Sequence, residues 1–398
     1  MRTRRIDDIQ PLLAMIDPVD PLLFVRRNDG LAGVGSALRL EFTGPDRMRD
    51  AAEAWRRIAG DATVDDEVRM PGSGLVAFGS FAFADESLAT SVLIVPRIVL
   101  GHRNHVHWIT FIDEGGELPD PTPLGDPIHI PLVAGPFGTT AYAEAVAAAV
   151  AAIGAGEVSK VVLARSIEGH LPASADLRGV AADLALGYPD CFTFAVDGLI
   201  GSSPETLVRS EKGEVTARVL AGSMARGVDI ASDAEAAAAI TSSQKDLDEH
   251  AFALRSLLLS LEAHATDIMT GEQPFALKLP NLWHLASDVR GRLTDGSSSL
   301  DLIDSLHPTA AVAGTPTRDA LRLISRLEPF DRGRYAGPVG WLGADGDGEW
   351  AVALRCAQVN ADGTVQAFAG AGIVSESVPD REVAETVMKF RPIVDAFA

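Results

Sequence analysis

The chain has 398 residues, 47% of them hydrophobic, which is enough to bury a large core and allows two or three domains by length. Its 34 basic and 55 acidic residues leave a formal charge of −21, so nucleic acid and anionic membranes are discounted as partners. The acid is spread along the chain, and the only cysteines, Cys191 and Cys356, lie far apart. A soluble cytoplasmic protein is expected, with neither a disulfide framework nor a zinc site.

The start, MRTRRIDDIQPLL, is basic, but aspartates follow and no apolar segment does, so no signal peptide is expected. Residues 1 to 115 read as short strands around one helix, RMRDAAEAWRRIAG (47 to 60), which has helical period and ends at glycine. LVAFGSFAF (75 to 83) and SVLIVPRIVLG (91 to 101) look like strands. GGELPDPTPLGDP (115 to 127) reads as an exposed connection. A helix starts with Thr139 or Thr140 as N-cap and runs to Gly154; its bland run AEAVAAAVAAI is too short to span a bilayer. SKVVLARSIEGHL (159 to 171) is a strand by its β-branched centre. Residues 191 to 227 read as several strands with turns at Asp197-Gly198 and Lys212-Gly213. A long helical stretch is expected from 233 to 270, a strand at 283 to 293 and a helix at 320 to 329. Residues 348 to 360 and 364 to 374 read as a hairpin, and a last helix closes the chain. Strands come in clusters and helices in separate blocks, which predicts an α+β fold rather than a doubly wound sheet. AGAGIV is neither GxGxxG nor a Walker loop, so nucleotide binding is not expected.

Only five of the basic residues are lysines: Lys160, Lys212, Lys245, Lys278 and Lys389. A lysine, unlike an arginine, can lose its proton when its surroundings shift its pKa. Lys160 opens an apolar strand, where it is either a general base or a strand-end residue snorkelling to water. In the last helix Glu382, Glu385 and Lys389 share a face by their spacing. A solvated helix with a Glu–Lys pair accounts for that spacing; the alternative is a Mg²⁺ site. Such a site needs acid on a facing element, and Asp246-Leu-Asp248-Glu249-His250 is the candidate, itself also readable as a polar helix face. Glu205, after a Ser-Ser-Pro turn, is either a turn cap or a carboxyl group with a raised pKa that acts as an acid. Arg355, inside the apolar strand AVALRCA, requires a carboxylate partner from the protein or a substrate. His284 and His307 read as core histidines.

These pieces occur in a fixed order. Lys160-Val-Val-Leu-Ala-Arg165, Ser203-Pro204-Glu205, Leu220-Ala221-Gly222-Ser223 and Asp246-x-x-Glu249-His250 come first. Trp283-His284-Leu285, Leu306-His307-Pro308-Thr309, Glu328-Pro329-Phe330-Asp331-Arg332, Gly348-Glu349-Trp350, Leu354-Arg355-Cys356-Ala357 and Ala369-Gly370-Ala371-Gly372-Ile373-Val374 follow. The set resembles the chorismate-utilising enzymes, and among them the isochorismate synthases, over residues 135 to 398. Residues 1 to 130 carry no such motif.

The resemblance implies one α+β domain over residues 1 to 398, with antiparallel sheets flanked by helices, the fold of anthranilate synthase component I, and a site in a central cleft. Residues 1 to 130 would form the divergent half and 135 to 398 the catalytic core. It implies Glu249 and Glu385 as Mg²⁺ ligands, with Glu382 acting through water. Lys160 would be the base that activates a water for attack at C2 of chorismate, and Glu205 the acid that protonates the departing C4 hydroxyl. Gly222, Arg355, Lys389 and the backbone of Gly370 and Gly372 would hold carboxylates, with His284 on the ring-hydroxyl side. Ammonia-using members carry glutamine where Lys160 stands, so water is the expected nucleophile and no glutaminase subunit is expected. Lyase-type members carry threonine at the position of Ala311, which argues against salicylate formation. A salicylate synthase and a non-catalytic chorismate-binding regulator are the rival readings. One departure is Ala251, where some relatives have a second acidic residue. A monomer is expected, feeding menaquinone, siderophore or salicylate synthesis.

Overall fold

A computed structural model describes all residues except 9–11, 114–115 and 173–174. Two large sheets, of thirteen and ten strands, hold the described strands, and eight α-helices flank them. The helices are α1 (Arg47–Asp61), α2 (Thr139–Gly154), α3 (Leu177–Gly187), α4 (Ile230–Ser242), α5 (Gln244–Leu261), α6 (Ser299–Leu306), α7 (Thr317–Leu327) and α8 (Pro379–Ala396). The α+β expectation is met, with helices and strands in separate layers.

Alternation along each strand decides which side chains enter which layer. In Leu22–Arg26, Phe24 joins the main core shared by both sheets, where Phe78, Phe192, Val208 and Trp350 also meet. Its neighbour Leu23 points the other way, into a second core with Ile167, Leu184 and Ile393, where α3 and α8 cover the thirteen-stranded sheet. Both halves of the chain build both sheets. Strand Leu22–Arg26 pairs with Phe192–Val196, and Val76–Ser80 pairs with Pro338–Gly343. Residues 1 to 113 therefore complete the sheets on which the later motifs are mounted.

Both predicted turns are present, with positive φ at Asp197 and Gly198 and at Lys212 and Gly213, the geometry of tight hairpins. Residues 116 to 127 form the exposed connection; Gly115 lies outside the described residues. Five expectations need correction. The strand read at 91 to 101 is two, Ser91–Val95 and Ile98–Arg103, parted at Pro96, which has no N–H for a ladder. The N-cap of α2 is Gly138, and Thr139 is already helical. The long helix read at 233 to 270 breaks at Ser243, whose extended backbone ends α4 and whose hydroxyl accepts from Asp246 N to cap α5. Its tail, Ala265–Thr270, is a strand. The hairpin read at 348 to 374 is formed by Cys356–Val359 and Thr364–Ile373 only, while Gly348–Val352 belongs to the other sheet. Arg355, read as a strand residue, sits in the crossing between sheets with φ of 51°. Helices α3 and α6 went unread; both are short.

Candidate active site

The site is built where the two sheets' chemistry-bearing strands approach α5 and α8. Lys160 is the first residue of strand Lys160–His170 and is fully buried, so the snorkelling alternative fails. Its Nζ lies 3.1 Å from Glu249 Oε1 on α5, without the geometry of a hydrogen bond. The close approach depends on Gly372 in the neighbouring strand. A Cβ there would stand 2.2 Å from Glu249 Oε1 and 3.0 Å from Lys160 Cε.

Glu205 follows strand Leu199–Ser203 and Pro204, and its side chain is buried rather than capping a turn. Burial pushes its carboxyl up to about 8, against the opposing pull of the Lys160 and Arg355 charges and of the Leu220 backbone N–H. At neutral pH it carries a proton and can donate it.

A cavity of about 50 Å³ is lined by Glu205, Gly222, Glu249, His284, Arg355, Gly370, Gly372 and Lys389, with Ala311, Arg332 and Tyr335. Clefts of about 940 and 1170 Å³ lie elsewhere, and neither touches Glu205, Glu249 or Lys389. Gly222 interrupts the ladder with φ of 81°, close enough to α5 that a Cβ would meet Asp246 Cβ at 3.0 Å. His284 donates from Nδ1 to Gly222 O at 2.9 Å, which leaves Nε2 to accept from Arg355 Nη2 at 3.2 Å. Burial and the Arg355 charge hold its pKa well below the usual imidazole range, so the ring is neutral and that acceptor is available. Arg355, itself buried, points one face of its guanidinium into the cavity through this bond.

On the other side, strand Thr364–Ile373 pairs with Cys356–Val359 only as far as Ala367. Beyond that its backbone edge, including Gly370 and Gly372, faces the cavity. Lys389 Nζ donates to Gly370 O at 2.9 Å and lies 2.5 Å from Glu385 Oε1 one turn earlier on α8. Glu382 is buried on the same helix, 2% exposed, so the reading of this helix as a solvated face fails. Burial and the charges of Glu385 and Glu382 raise the pKa of Tyr142 on α2, whose hydroxyl donates to Leu163 O at 3.1 Å.

Among the described residues no three His, Cys, Asp or Glu side chains already stand at ligating separation. Mg²⁺ takes few protein ligands, one or two carboxylates with water and substrate filling the rest. Glu249 and Glu385 offer hard oxygen donors, and each now has a lysine ammonium where a cation would stand. The donor set fits Mg²⁺.

Other candidates fall elsewhere. His307 bonds Phe83 O through Nε2 at 2.9 Å and lines the 1170 Å³ cleft, a structural role. His250, on α5, meets Ser287 Oγ through Nε2 at 2.8 Å. Three positions were given no role by sequence reasoning, although Arg165 and Arg332 stand in the quoted motifs. Tyr335 lines the cavity. Arg165 Nε donates to Thr386 Oγ1 at 2.7 Å and its guanidinium covers Phe390, fixing α8 against the strand. Arg332 clamps Glu328, with bonds of 2.8 and 2.6 Å. The i,i+4 spacing of Glu328 and Arg332 was a readable signal for the last; nothing local marks Tyr335.

A family model described as "Chorismate binding enzyme" matches residues 3–113 and 134–398. The chain is 38% identical to isochorismate synthase DhbC of Bacillus subtilis over 64% of this chain and 67% of that protein. It is 32% identical to the salicylate biosynthesis isochorismate synthase of Pseudomonas aeruginosa over 99% of this chain and 88% of that one. The solved structure of MenF, the menaquinone-specific isochorismate synthase from Escherichia coli, superposes with a TM-score of 0.79 at 25% identity, covering 98% and 94% of the two chains. No helix among the described residues is long and apolar enough to cross a membrane. The matched motifs, the fold they are mounted on and the match along nearly the whole chain agree: the protein belongs to the chorismate-binding enzyme family.

Proposed function

We propose that this protein is a cytoplasmic, Mg²⁺-dependent isochorismate synthase, acting as one domain and as a monomer without a glutaminase subunit. The observation that carries the reading is a protonated buried glutamate, Glu205, lining one cavity with Glu249, whose Oε1 stands 3.1 Å from the Nζ of the fully buried Lys160. Binding alone needs neither Glu205 nor Lys160, so a purely regulatory role leaves both unexplained.

Chorismate brings two carboxylates. The Arg355 guanidinium and the Lys389 ammonium offer charge-assisted donors, and the open backbone edge at Gly370 and Gly372 and the turn at Gly222 add N–H groups. His284 Nε2, held by Arg355, faces the ring hydroxyl. Lys160 Nζ takes a proton from water, whose oxygen bonds to C2 of the ring. The ring double bonds shift toward C4, the C4–O bond breaks, and Glu205 delivers its proton to the departing hydroxyl, which leaves as water. The nucleophile and the leaving group are both water, so the reaction is an isomerisation. Glu249 and Glu385 would hold Mg²⁺, with Glu382 through a water, and the bound cation would neutralise the acid cluster and orient the ring carboxylate. Ala311 lines the cavity with a methyl group and offers no hydroxyl to the pyruvyl side, which favours release of isochorismate over elimination of pyruvate.

The test is incubation of the purified chain with chorismate, with Mg²⁺ or with EDTA, followed by chromatographic separation. Isochorismate formed only with metal is the expected result. Salicylate with pyruvate would replace the synthase reading by the lyase one, and unchanged chorismate would overturn both.

A further inference from the structure

Two lysines occupy the places where the metal-ligand carboxylates would meet a cation. Lys160 Nζ stands 3.1 Å from Glu249 Oε1, and Lys389 Nζ 2.5 Å from Glu385 Oε1. The pairing has an electrostatic cause. Buried carboxylates in a chain of charge −21 cannot stand uncompensated. The two lysines also carry the roles the reaction needs, one against water and one against a substrate carboxylate. A lysine held by a carboxylate performs neither. The pairs also close the site. One ties α5 to strand Lys160–His170, the other ties α8 to Gly370, and about 50 Å³ remains between them. That volume holds roughly three or four waters and not a ring bearing two carboxylates.

We propose that Lys160 and Lys389 are exchangeable counter-ions: they hold Glu249 and Glu385 until a divalent cation binds, and the exchange frees both lysines for substrate. A cation between the carboxylates supplies the charge the lysines now supply and repels the ammonium groups at short range. Lys389 only changes partner in the exchange; at Lys160 one N–H bond also breaks and its proton passes to solvent water, which leaves the free amine the reaction needs. Each lysine therefore competes with the metal. The inference rests on the metal site proposed above and gives the same lysines a second task.

The competition is measurable without turnover. Mg²⁺ binding to the full chain, free of chorismate, is measured by isothermal titration calorimetry and by the Mg²⁺-dependent rise in Tm, for the wild type, Lys160→Met, Lys389→Met and Lys160→Arg. Each methionine variant is expected to bind Mg²⁺ about tenfold or more tightly than wild type, because the buried carboxylate has lost its competitor. Lys160→Arg keeps the charge and should show no such gain. Should Lys160→Met fail to fold, Lys389→Met, at the more exposed position, carries the comparison. Methionine variants that bind Mg²⁺ as wild type does, or more weakly, overturn the exchange while leaving the metal site intact. A wild type that binds no Mg²⁺ overturns the metal site and the exchange with it.

Discussion

Two buried ion pairs meet at strand Lys160–His170 and differ in how well they are bonded. Arg332 meets Glu328 with Nε at 2.8 Å and Nη2 at 2.6 Å, and spends its remaining donors on Val312 O at 3.0 Å and Val162 O at 2.7 Å. Glu328 in turn accepts from Ala164 N at 2.7 Å, and the guanidinium lies over Phe83. Lys160 meets Glu249 at 3.1 Å, and its Nζ makes no well-formed hydrogen bond. Each pair has left water at a cost of several kcal/mol per ion. The first recovers it through a complete set of partners and fixes the strand against the loop at Val312. The second leaves the donors of Lys160 Nζ unspent. Burial alone therefore does not separate a structural pair from a chemical one; the completeness of its bonding does.

Substitutions can break that contrast. The largest effect is expected at Lys160 and Glu205. Lys160→Met and Glu205→Gln should each lower kcat by roughly 10²–10⁴, the range of a lost general base or acid, measured with chorismate and Mg²⁺. Arg332→Met should leave Glu328 buried and unpaired and cost about 3–5 kcal/mol in urea unfolding, with whatever chain remains folded still turning over. An Arg332 variant with full stability and no activity would reverse the two roles. Gly372→Ala sits between these. The new methyl group would stand 2.2 Å from Glu249 Oε1 and must displace that carboxylate, so Mg²⁺ affinity should fall, with a stability loss of about 1–3 kcal/mol.

The last expected effect is a pH slope. Burial raises the Glu205 carboxyl from 4.5 to about 8, so the folded chain keeps a proton that the unfolded chain has released. Stability contributed by this group falls as pH rises from about 4.5 to about 8 and is level above, with a slope of at most about 1.4 kcal/mol per unit. Glu205→Gln should flatten that part of the stability profile. In the wild type, kcat should decline above about pH 8 as the acid loses its proton.

Much of the site was legible because its residues sit in short motifs whose local chemistry is unusual. Lys160 opens an apolar strand, Glu205 follows a turn beside apolar residues, and Glu385 and Lys389 share a helical face. The motifs gave the order, and the fold brought Glu205, Glu249, Arg355 and Lys389 to one cavity, with Lys160 beside Glu249 and Glu385 beside Lys389. What was not legible depends on tertiary context. Ser243 divides a segment whose composition is helical on both sides, because the chain turns from α4 to place Glu249 over Lys160. Arg355 looked like a strand residue because Ala351 and Ala357 on either side are apolar. Its positive φ comes from the crossing between two sheets, which no local pattern encodes. Tyr335 and Arg165 act through residues far away in sequence. Residues 1 to 113 were read as strands but not as partners, since pairing of Leu22–Arg26 with Phe192–Val196 is a long-range choice.

The claim that Lys160 does chemistry, and does not merely bind, is tested most directly by a single-turnover measurement on Lys160→Met. With Mg²⁺ saturating, chorismate binding is followed by calorimetry and product by chromatography on the same preparation. Retained chorismate binding with no isochorismate formed is the predicted result. Isochorismate at the wild-type rate, or chorismate binding lost in step with turnover, would contradict it.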